Sequence, residues 1–242
     1  MSLQEKVAVV TGATGALGRV VTKTLLQHGT HVVATFRKQK QQEELHAFVG
    51  EQVRKLKTVE VDVTDENSVH RLMQETMKEH GRIDILLNIV GAYTGGAEVS
   101  EMKVSDWDFM MNVNLKSAFL CSKAALSYMI KQNYGKIINV SARSAVEKRY
   151  RIKNCAYAVS KAGVLVLTET IAEEAKKYDI NVNCILPSTI DTPANRQNMP
   201  EADFTKWVKP EDIAKVVEFF VTDLSDYVTG QCLSVCGGAV KF

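Results

Sequence analysis

The chain has little net charge and no long basic run. Its 30 lysines and arginines nearly balance its 28 aspartates and glutamates, which leaves a formal net charge of +2. The longest basic clusters, Arg37-Lys38 and Lys148-Arg149, are only pairs, whereas a nucleic-acid-binding protein carries a basic stripe or face. We therefore expect no nucleic-acid partner, and both pairs are typical of solvated surface.

Signals for secretion, membranes, disulfides and metals are equally scarce. Residues Met1 to Lys6 lack the apolar segment of a signal peptide, and no run approaches the ~18 apolar residues of a membrane span. The 5 cysteines are odd in number and irregularly spaced, which does not fit a disulfide framework. Cys232 and Cys236 have no partner histidine, so no metal site is expected. Reduced thiols predict a cytoplasmic protein. The lack of a long apolar run predicts no membrane contact.

The chain does have a regular alternation of strand-like and helix-like segments. Its 242 residues suffice for one domain, 1–242, and the alternation predicts an α/β fold with a doubly wound parallel sheet of the Rossmann type. Strands are predicted at 7–10, 31–35, 59–61, 83–87, 136–140, 181–186 and 232–235. Helices are predicted at about 16–28, 66–80, 106–132 and 156–178, with Ser105–Asp108 as a capping box and Pro210 opening a last helix before Glu211-Asp212.

A glycine-rich segment, Thr11–Gly18, joins the first predicted strand to the first helix. Glycines allow a tight turn and a close approach to a pyrophosphate, and the helix N-terminus then offers free N–H groups. The alternative is a glycine-rich turn without a ligand, but the position after the first strand favours dinucleotide binding. The candidate cofactor-binding residues of this turn are Gly12, Thr14, Gly15, Leu17 and Gly18.

The end of the second strand indicates which dinucleotide is bound. Enzymes that prefer NAD often place an acid there to bind the ribose hydroxyls. Residues 34–38 contain no acid but include Arg37 and Lys38, and the Arg37 guanidinium is suited to a 2′-phosphate. We therefore expect NADP(H), with NAD the less favoured choice. The alternative is that both cations face solvent.

Tyr157 and Lys161 are four residues apart at the start of a predicted helix and so share one face. A lysine cation beside a phenol favours the phenolate, so this spacing predicts that the pKa of Tyr157 is lowered towards the working range of a general acid or base. Taken alone, the pair is equally compatible with a helix-surface contact.

Together the motifs resemble those of the short-chain dehydrogenase/reductase family over nearly the whole chain. The ordered motifs are the 11–18 turn, Asp62-Val63, Leu87–Gly91, Asn114-Leu115, Tyr157 with Lys161, Pro187 to Thr192, and Thr229–Gln231. The resemblance implies an oxidoreductase that transfers a hydride between a nicotinamide cofactor and a small molecule, and a homotetramer built by the helices at about 106–132 and 156–178.

The resemblance also implies roles for single residues. Tyr157 would protonate a carbonyl oxygen or deprotonate an alcohol, and Lys161 would hold the nicotinamide ribose. Asn114 would anchor a water in the proton relay; the alternative is a helix-interior amide that bonds its own backbone. The remaining implied cofactor contacts are Asp62 and Val63 at adenine, Asn88 and Gly91 beside the adenine ribose, and Ile190 and Thr192 at the carboxamide, with Pro187 as a further cofactor contact.

Two departures from the family pattern affect these expectations. Ile89-Val90 replaces the usual Asn-Ala in the motif after the fourth strand, which alters the adenine pocket. The serine that orients the substrate is replaced by Ala142, and loss of such a donor costs on the order of 10²–10³ in rate in other enzymes. Ser144, thirteen residues before Tyr157, is the candidate replacement. The alternative is an enzyme that works without this serine.

Two segments, 91–96 and 191–204, resemble the dihydropteridine reductase branch of the family, which also has alanine at the serine position. In that interpretation Tyr93 would stack on a flat ring, although plain packing explains it equally well. The leading hypothesis remains an NADP(H)-dependent carbonyl or alcohol oxidoreductase, similar to 3-oxoacyl reductases. A pteridine reductase is the second, and a dinucleotide sensor with weakened catalysis is the third.

Overall fold

The structure is a computed structural model, and it describes residues 3–237. The strands are β1 Val7–Thr11, β2 His31–Phe36, β3 Leu56–Glu60, β4 Ile85–Asn88, β5 Gly135–Val140, β6 Ile180–Pro187 and β7 Cys232–Val235. They form one 7-stranded sheet in the order β3-β2-β1-β4-β5-β6-β7, and every neighbouring pair is parallel. The predicted fold class is therefore confirmed.

Helices cover both faces of this sheet. They are α1 Ala16–Gln27, α2 Gln39–Val49, α3 Glu66–His80, α4 Val104–Met110, α5 Ser117–Gln132, α6 Cys155–Glu174, α7 Pro193–Asn198 and α8 Pro210–Val221. Alternate residues of β1 face opposite layers. Ala8 and Val10 pack with α1 and α8 residues, whereas Val9 packs with residues of α3, α5 and α6.

The crevice for a ligand follows from the strand order. β1 pairs with β2 on one side and with β4 on the other, so the chain leaves β1 and β4 in opposite directions and opens a gap at their carboxyl ends. Thr11 fixes this edge, because its hydroxyl donates to the Leu87 carbonyl at 3.2 Å and accepts from the Ile89 N–H at 3.2 Å. The turn after β1 and the loop after β4 are thereby held together.

The long helix predicted at 106–132 is interrupted. It consists of α4, a π-helical segment at Met111–Lys116, and α5. The predicted capping box at 105–108 is wrong, because α4 begins at Val104 after Lys103 and Ser105 lies inside the helix. The predicted start at Pro210 is confirmed, with Glu211 and Asp212 in the first turn, while the helix predicted at 156–178 ends at Glu174.

One helix among residues 3–237, α6, is long and apolar enough to cross a membrane by length and composition alone. Core helices of globular proteins meet the same criterion, and α6 packs on β6 with Val164, Thr168 and Ile171 buried. The same helix carries Tyr157 and Lys161, and its buried apolar residues pack in the protein interior near these two side chains.

Candidate active site

Two glycines of the 11–18 turn are required by close backbone contacts. Gly12 has a φ of +67°, and a Cβ there would lie 2.9 Å from the Val90 nitrogen. A Cβ on Gly18 would lie 2.0 Å from the Gly12 carbonyl oxygen. Gly15 is the N-cap of α1 and provides no side-chain cap, so the first N–H groups of this helix are available to an anion.

Beside this turn lies a cavity of about 120 Å³. It brings together five of the predicted cofactor residues: Gly12, Thr14, Arg37, Asp62 and Val63. Its other lining residues were not predicted: Thr35, Phe36, Gln41, Val61, Thr64, Val90 and Val113. The position of Thr35 and Phe36 at the end of β2 is the sequence signal that would have found them, because ligands of such sheets bind at the carboxyl ends of strands.

Asp62 and Arg37 give the cavity a negative and a positive group. The Asp62 carboxylate accepts hydrogen bonds from the Thr64 N–H at 2.9 Å and the Thr64 hydroxyl at 2.7 Å. These bonds, with the charges of Arg37 and Lys116, hold the pKa of Asp62 below its ordinary value. The exposed Arg37 follows β2 directly, and its backbone N–H is bound by the Gln41 side chain at 3.3 Å.

Lys161 is buried beneath the carboxyl ends of β4 and β5. Only 4% of its surface is exposed, and its Nζ donates to the Val140 carbonyl at 2.9 Å. Burial lowers the pKa of Lys161 to about 8. A Cβ on Gly91 would lie 3.1 Å from this Nζ and 3.2 Å from Asn114 Oδ1, so the loop after β4 presses directly on both side chains.

Asn114 lies in the π-helical segment and is almost fully buried. Its Oδ1 accepts from the Ala92 N–H at 2.8 Å, and its Nδ2 donates to the Ala92 carbonyl at 3.1 Å and to Ser160 Oγ at 3.0 Å. The amide therefore does not bond its own helix backbone, which was the alternative interpretation. It joins the loop after β4 to α6, and π-helical insertions of this kind are frequent at functional sites.

The pKa of Tyr157 contradicts the sequence-based expectation. Burial, together with the neighbouring Tyr93, raises it to about 12. The Lys161 ammonium group donates to the Val140 carbonyl. The Ser160 hydroxyl donates to the Tyr157 carbonyl at 2.8 Å, so the chain from Asn114 through Ser160 fixes the first turn of α6.

Tyr93 covers this position from the solvent side. Its ring centroid lies 5.1 Å from that of Tyr157, and the rings are nearly perpendicular at 82°. Its hydroxyl donates to Asn154 Oδ1 at 2.7 Å, yet 64% of its surface is exposed. A largely exposed aromatic ring therefore lies next to the candidate proton donor.

The serine hydroxyls after β5 differ in whether they make a hydrogen bond. The Ser141 hydroxyl donates to the Lys161 carbonyl at 2.7 Å. Ala142 has no hydroxyl to offer. Ser144 is 5% exposed, and its Oγ has no hydrogen-bond partner within residues 3–237. Among the described residues of this segment, Ser141 thus has an engaged hydroxyl and Ser144 an unengaged one.

Other predicted residues lie where their side chains serve the fold. Asn88 donates to Asn139 Oδ1 at 2.8 Å and to Ser122 Oγ at 2.9 Å, so its amide points into the core and Val90 lines the cavity instead. Leu17 is buried in the core.

The predicted carboxamide contacts follow β6. Pro187 ends this strand, and the Ile190 carbonyl accepts from Asn195 Nδ2 at 2.8 Å. The Thr192 hydroxyl accepts from the Asn195 N–H at 3.1 Å and caps α7. All three lie at the carboxyl end of β6, on the same edge of the sheet as the glycine turn, and the loop that carries them is held by α7.

Proteins of similar sequence and fold identify the family of this chain. The model of the short chain dehydrogenase family matches residues 6–203. The chain belongs to the short-chain dehydrogenase/reductase family. A 3-oxoacyl-(acyl-carrier-protein) reductase of Thermotoga maritima is 35% identical over 99% of this chain and 100% of its own length.

Solved structures of the family agree with this assignment. A structure of ElxO with NADP bound has a TM-score of 0.91, 25% sequence identity and 98% coverage of both chains. A xylitol dehydrogenase with NAD+ bound has a TM-score of 0.90 and 27% identity, covering 98% of this chain and 100% of its own. The chain is accordingly an oxidoreductase of this family that uses a nicotinamide cofactor and acts on small molecules.

The residues present fit such a cofactor. A side chain at Gly12 or Gly18 would collide with the backbone of the loop after β4 or of the turn itself, so the turn leads closely into the N-terminus of α1, and the cavity beside it contains a carboxylate at Asp62 and a cation at Arg37. These features suit a pyrophosphate and an adenosine, respectively.

Proposed function

We propose that this protein is an NADP(H)-dependent reductase of a small carbonyl compound, of the 3-oxoacyl thioester kind. The observation that carries the proposal is the packing of Gly91 against both Asn114 and Lys161, one helical turn from Tyr157. It gathers the three candidate catalytic side chains at the edge of the sheet where the glycine turn lies. A binding protein without chemistry has no need of this buried set.

The chain's own residues define where the cofactor would lie. Gly12, Thr14 and Gly15 would hold the pyrophosphate, Asp62 and Val63 the adenine, and Lys161 the nicotinamide ribose. The bound nicotinamide would supply the hydride. Ile190 and Thr192 would position its carboxamide, with Thr192 acting through its backbone because its hydroxyl caps α7.

The raised pKa of Tyr157 favours reduction over oxidation. A phenol with a pKa of about 12 is protonated at neutral pH, so it is ready to donate its proton to a carbonyl oxygen. Lys161, with a pKa of about 8, is mostly a cation at neutral pH and would stabilise the phenolate left behind. Asn114 holds the first turn of α6 through Ser160 and would anchor the water that returns the proton.

The charge at the end of β2 supports NADP over NAD. The exposed Arg37 follows Phe36 directly, and residues 34–38 contain no carboxylate to repel a 2′-phosphate. Structures similar to this one contain either dinucleotide, so the preference rests on Arg37 itself.

The loop between β5 and α6 supports a substrate with an anionic handle. Residues 143–153 carry one acid, Glu147, and five cations: Arg143, Lys148, Arg149, Arg151 and Lys153. Glu147 is shared by Arg143 at 2.5 Å and Arg149 at 2.9 Å, so the positive charge is in excess. The loop adjoins the site because the Gly96 N–H donates to the Lys153 carbonyl at 2.7 Å. The phosphate of a thioester carrier suits this surface.

Ser144 takes the substrate-orienting role in this proposal. Its unpartnered, buried hydroxyl follows Ala142 by two residues in the same short segment. Donation to the developing oxyanion would satisfy it and would replace the hydroxyl that Ala142 lacks.

A second candidate function is reduction of a quinonoid dihydropterin. Tyr93 favours it, because its exposed ring lies over Tyr157 and offers a face on which a flat heterocycle would stack. The alanine at 142 also suits a substrate that is already activated. The third hypothesis, a dinucleotide sensor, predicts cofactor binding without turnover.

Assembly and compartment belong to the same proposal. Phe119 on α5 and Val159 and Val166 on α6 are exposed by 44%, 43% and 61%, which supports burial of these helices in a homotetramer. The five cysteines are unpaired, which supports a reducing, cytoplasmic location.

The decisive experiment combines cofactor binding with turnover. NADPH and NADH are titrated separately by nicotinamide fluorescence, and the tighter complex is assayed with ketones, 3-oxoacyl thioesters and quinonoid dihydropterin. We expect tighter NADPH binding and oxidation by a 3-oxoacyl thioester. Tyr157→Phe should abolish turnover and spare binding. Turnover with dihydropterin alone would select the second candidate, and binding without any turnover would select the sensor.

A further inference from the structure

Cys184 and Cys232 lie directly opposite each other in the sheet. They are register partners of the parallel pair β6 and β7, whose strands are separated by about 4.8 Å. Disulfides join residues whose Cα atoms are roughly 4.4–6.8 Å apart, so the backbone already brings the two residues within range. Both cysteines are reduced in the structure, and the Cys232 side chain packs against the same small apolar cluster that contains Cys184.

The two thiols have different environments. Cys184 is fully buried in the middle of the sheet, and burial raises its pKa. Cys232 is only partly buried, on the edge strand β7, and the neighbouring Cys184 thiol lowers the pKa of Cys232 despite the opposing effects of burial and Glu169. An accessible thiol that ionises more readily, next to a buried second thiol, is the arrangement found in oxidisable cysteine pairs.

Cys184 also contacts the catalytic part of the molecule. It pairs with Asn139 of β5 on its other side, the carbonyl of the next residue, Ile185, accepts from the Ser141 N–H at 2.9 Å, and Cys184 lies close enough to Lys161 for their charges to interact. Ser141 in turn donates its hydroxyl to the Lys161 carbonyl at 2.7 Å. A displacement of the Cys184 sulfur therefore acts on the backbone that holds Lys161.

We propose that Cys184 and Cys232 form an oxidative modification site beneath the catalytic lysine, with a hydroperoxide as the oxidant. The Cys232 thiolate attacks the peroxide, becomes a sulfenic acid and releases one water or alcohol. The Cys184 thiol then attacks the sulfenic sulfur, which forms the S–S bond and releases a second water. A dithiol reverses the reaction by thiol–disulfide exchange.

The cross-link pulls Cys184 towards β7, and with it the β6 backbone to which β5 and the Ser141 N–H are bound. We expect turnover to fall by on the order of tenfold or more, because small displacements of catalytic groups have effects of that size. This effect on turnover rests on the proposed function, whereas formation of the cross-link does not.

The test begins with the reduced wild-type protein treated with hydrogen peroxide. Intact mass should fall by about 2 Da for the two hydrogens lost, and peptide mapping should join the peptides of Cys184 and Cys232. Turnover should fall with the same time course and return with dithiothreitol. Cys232→Ser should form no such link and keep its turnover, and Cys155→Ser, the matched control, should respond like the wild type.

Two results overturn the proposal. One is a peptide map without the 184–232 link, for example with Cys232 joined to Cys236. The other is a complete link with unchanged turnover. The wild-type map decides the first point even if a variant fails to fold. Absence of turnover in the reduced protein would count against the proposed function, while the map would still decide whether the cross-link forms.

Discussion

The ring of Tyr93 lies edge-on to the ring of Tyr157, with centroids 5.1 Å apart. One tyrosine thus shields another from water, and burial together with Tyr93 raises the pKa of Tyr157 to about 12. Tyr93, which lies in the loop after β4, consequently influences both the access to Tyr157 on α6 and the pKa of Tyr157.

Tyr93→Ala should lower the pKa of Tyr157, because it exposes the phenol and removes the neighbouring phenolic group. Reduction requires the protonated form of Tyr157, so the alkaline decline of kcat/KM should move to lower pH. A pH profile of kcat/KM measures this shift. Tyr227→Ala, which removes a fully exposed tyrosine, should leave the profile unchanged, and an unmoved alkaline limb in Tyr93→Ala would contradict the assignment.

Lys161→Met should stabilise the fold while abolishing turnover. Burial lowers the pKa of Lys161 from 10.5 to about 8, so between these pH values the unfolded chain binds more protons and stability rises with pH. Below pH 8 the buried ammonium destabilises the wild-type fold by the full amount, roughly 3 kcal/mol. Lys161→Met removes this destabilisation but also loses the hydrogen bond to Val140, which offsets about 1 kcal/mol of the increase in stability.

Urea unfolding at pH 7 and at pH 10 checks this prediction. The free energy of unfolding of Lys161→Met should exceed that of the wild type by about 2 kcal/mol at pH 7, and the difference should shrink at pH 10. The control is Lys123→Met, whose lysine is 58% exposed and should change stability by less than about 0.5 kcal/mol. A destabilised Lys161→Met at pH 7 would show that the buried ammonium is better compensated than its surroundings indicate.

Arg37→Glu should weaken NADPH binding and have little effect on NADH. A charge-assisted hydrogen bond to a phosphate contributes about 1.5–3 kcal/mol, which corresponds to roughly 10- to 100-fold in Kd. Fluorescence titration of both cofactors measures the change. Lys40→Glu, at a side chain that is 83% exposed, is the control for general surface charge, and equal loss with both cofactors would refute the 2′-phosphate role.

Ser144→Ala should lower kcat by about 10²–10³-fold, the effect of removing one oxyanion donor, with cofactor affinity unchanged. A second variant, Ser144→Ala combined with Ala142→Ser, should recover part of the rate by restoring a hydroxyl at the usual family position. Steady-state kinetics with saturating cofactor measures kcat for both variants. If Ser144→Ala retains full kcat, the enzyme operates without this serine.

The sequence predicted the sheet and the glycine turn well, because both depend on local patterns. Each predicted strand has a counterpart within three residues of its start. Helix α2 was missed because Gln39–Val49 is mostly polar, with only Leu45 and Val49 buried, so it lacks a clear apolar stripe.

The sequence-based predictions that were wrong at the site concern features that depend on tertiary contacts. The π-helical segment around Asn114 depends on packing against Ala92 and Ser160, which local sequence does not encode. The pKa of Tyr157 was predicted to fall because the sequence shows the spacing to Lys161 and not the burial of the phenol, which raises the pKa.

The position of β4 between β1 and β5 has a consequence for synthesis of the chain. When the first 84 residues have left the ribosome, β1, β2 and β3 can pair, but the other edge of β1 is still open. That edge is a strand of five buried residues, Val7–Thr11, and unpaired apolar edges of this kind recruit other chains. The nascent protein is therefore prone to aggregate through this edge until Ile85–Asn88 emerges, and the ligand-binding crevice forms only when that strand has paired with β1.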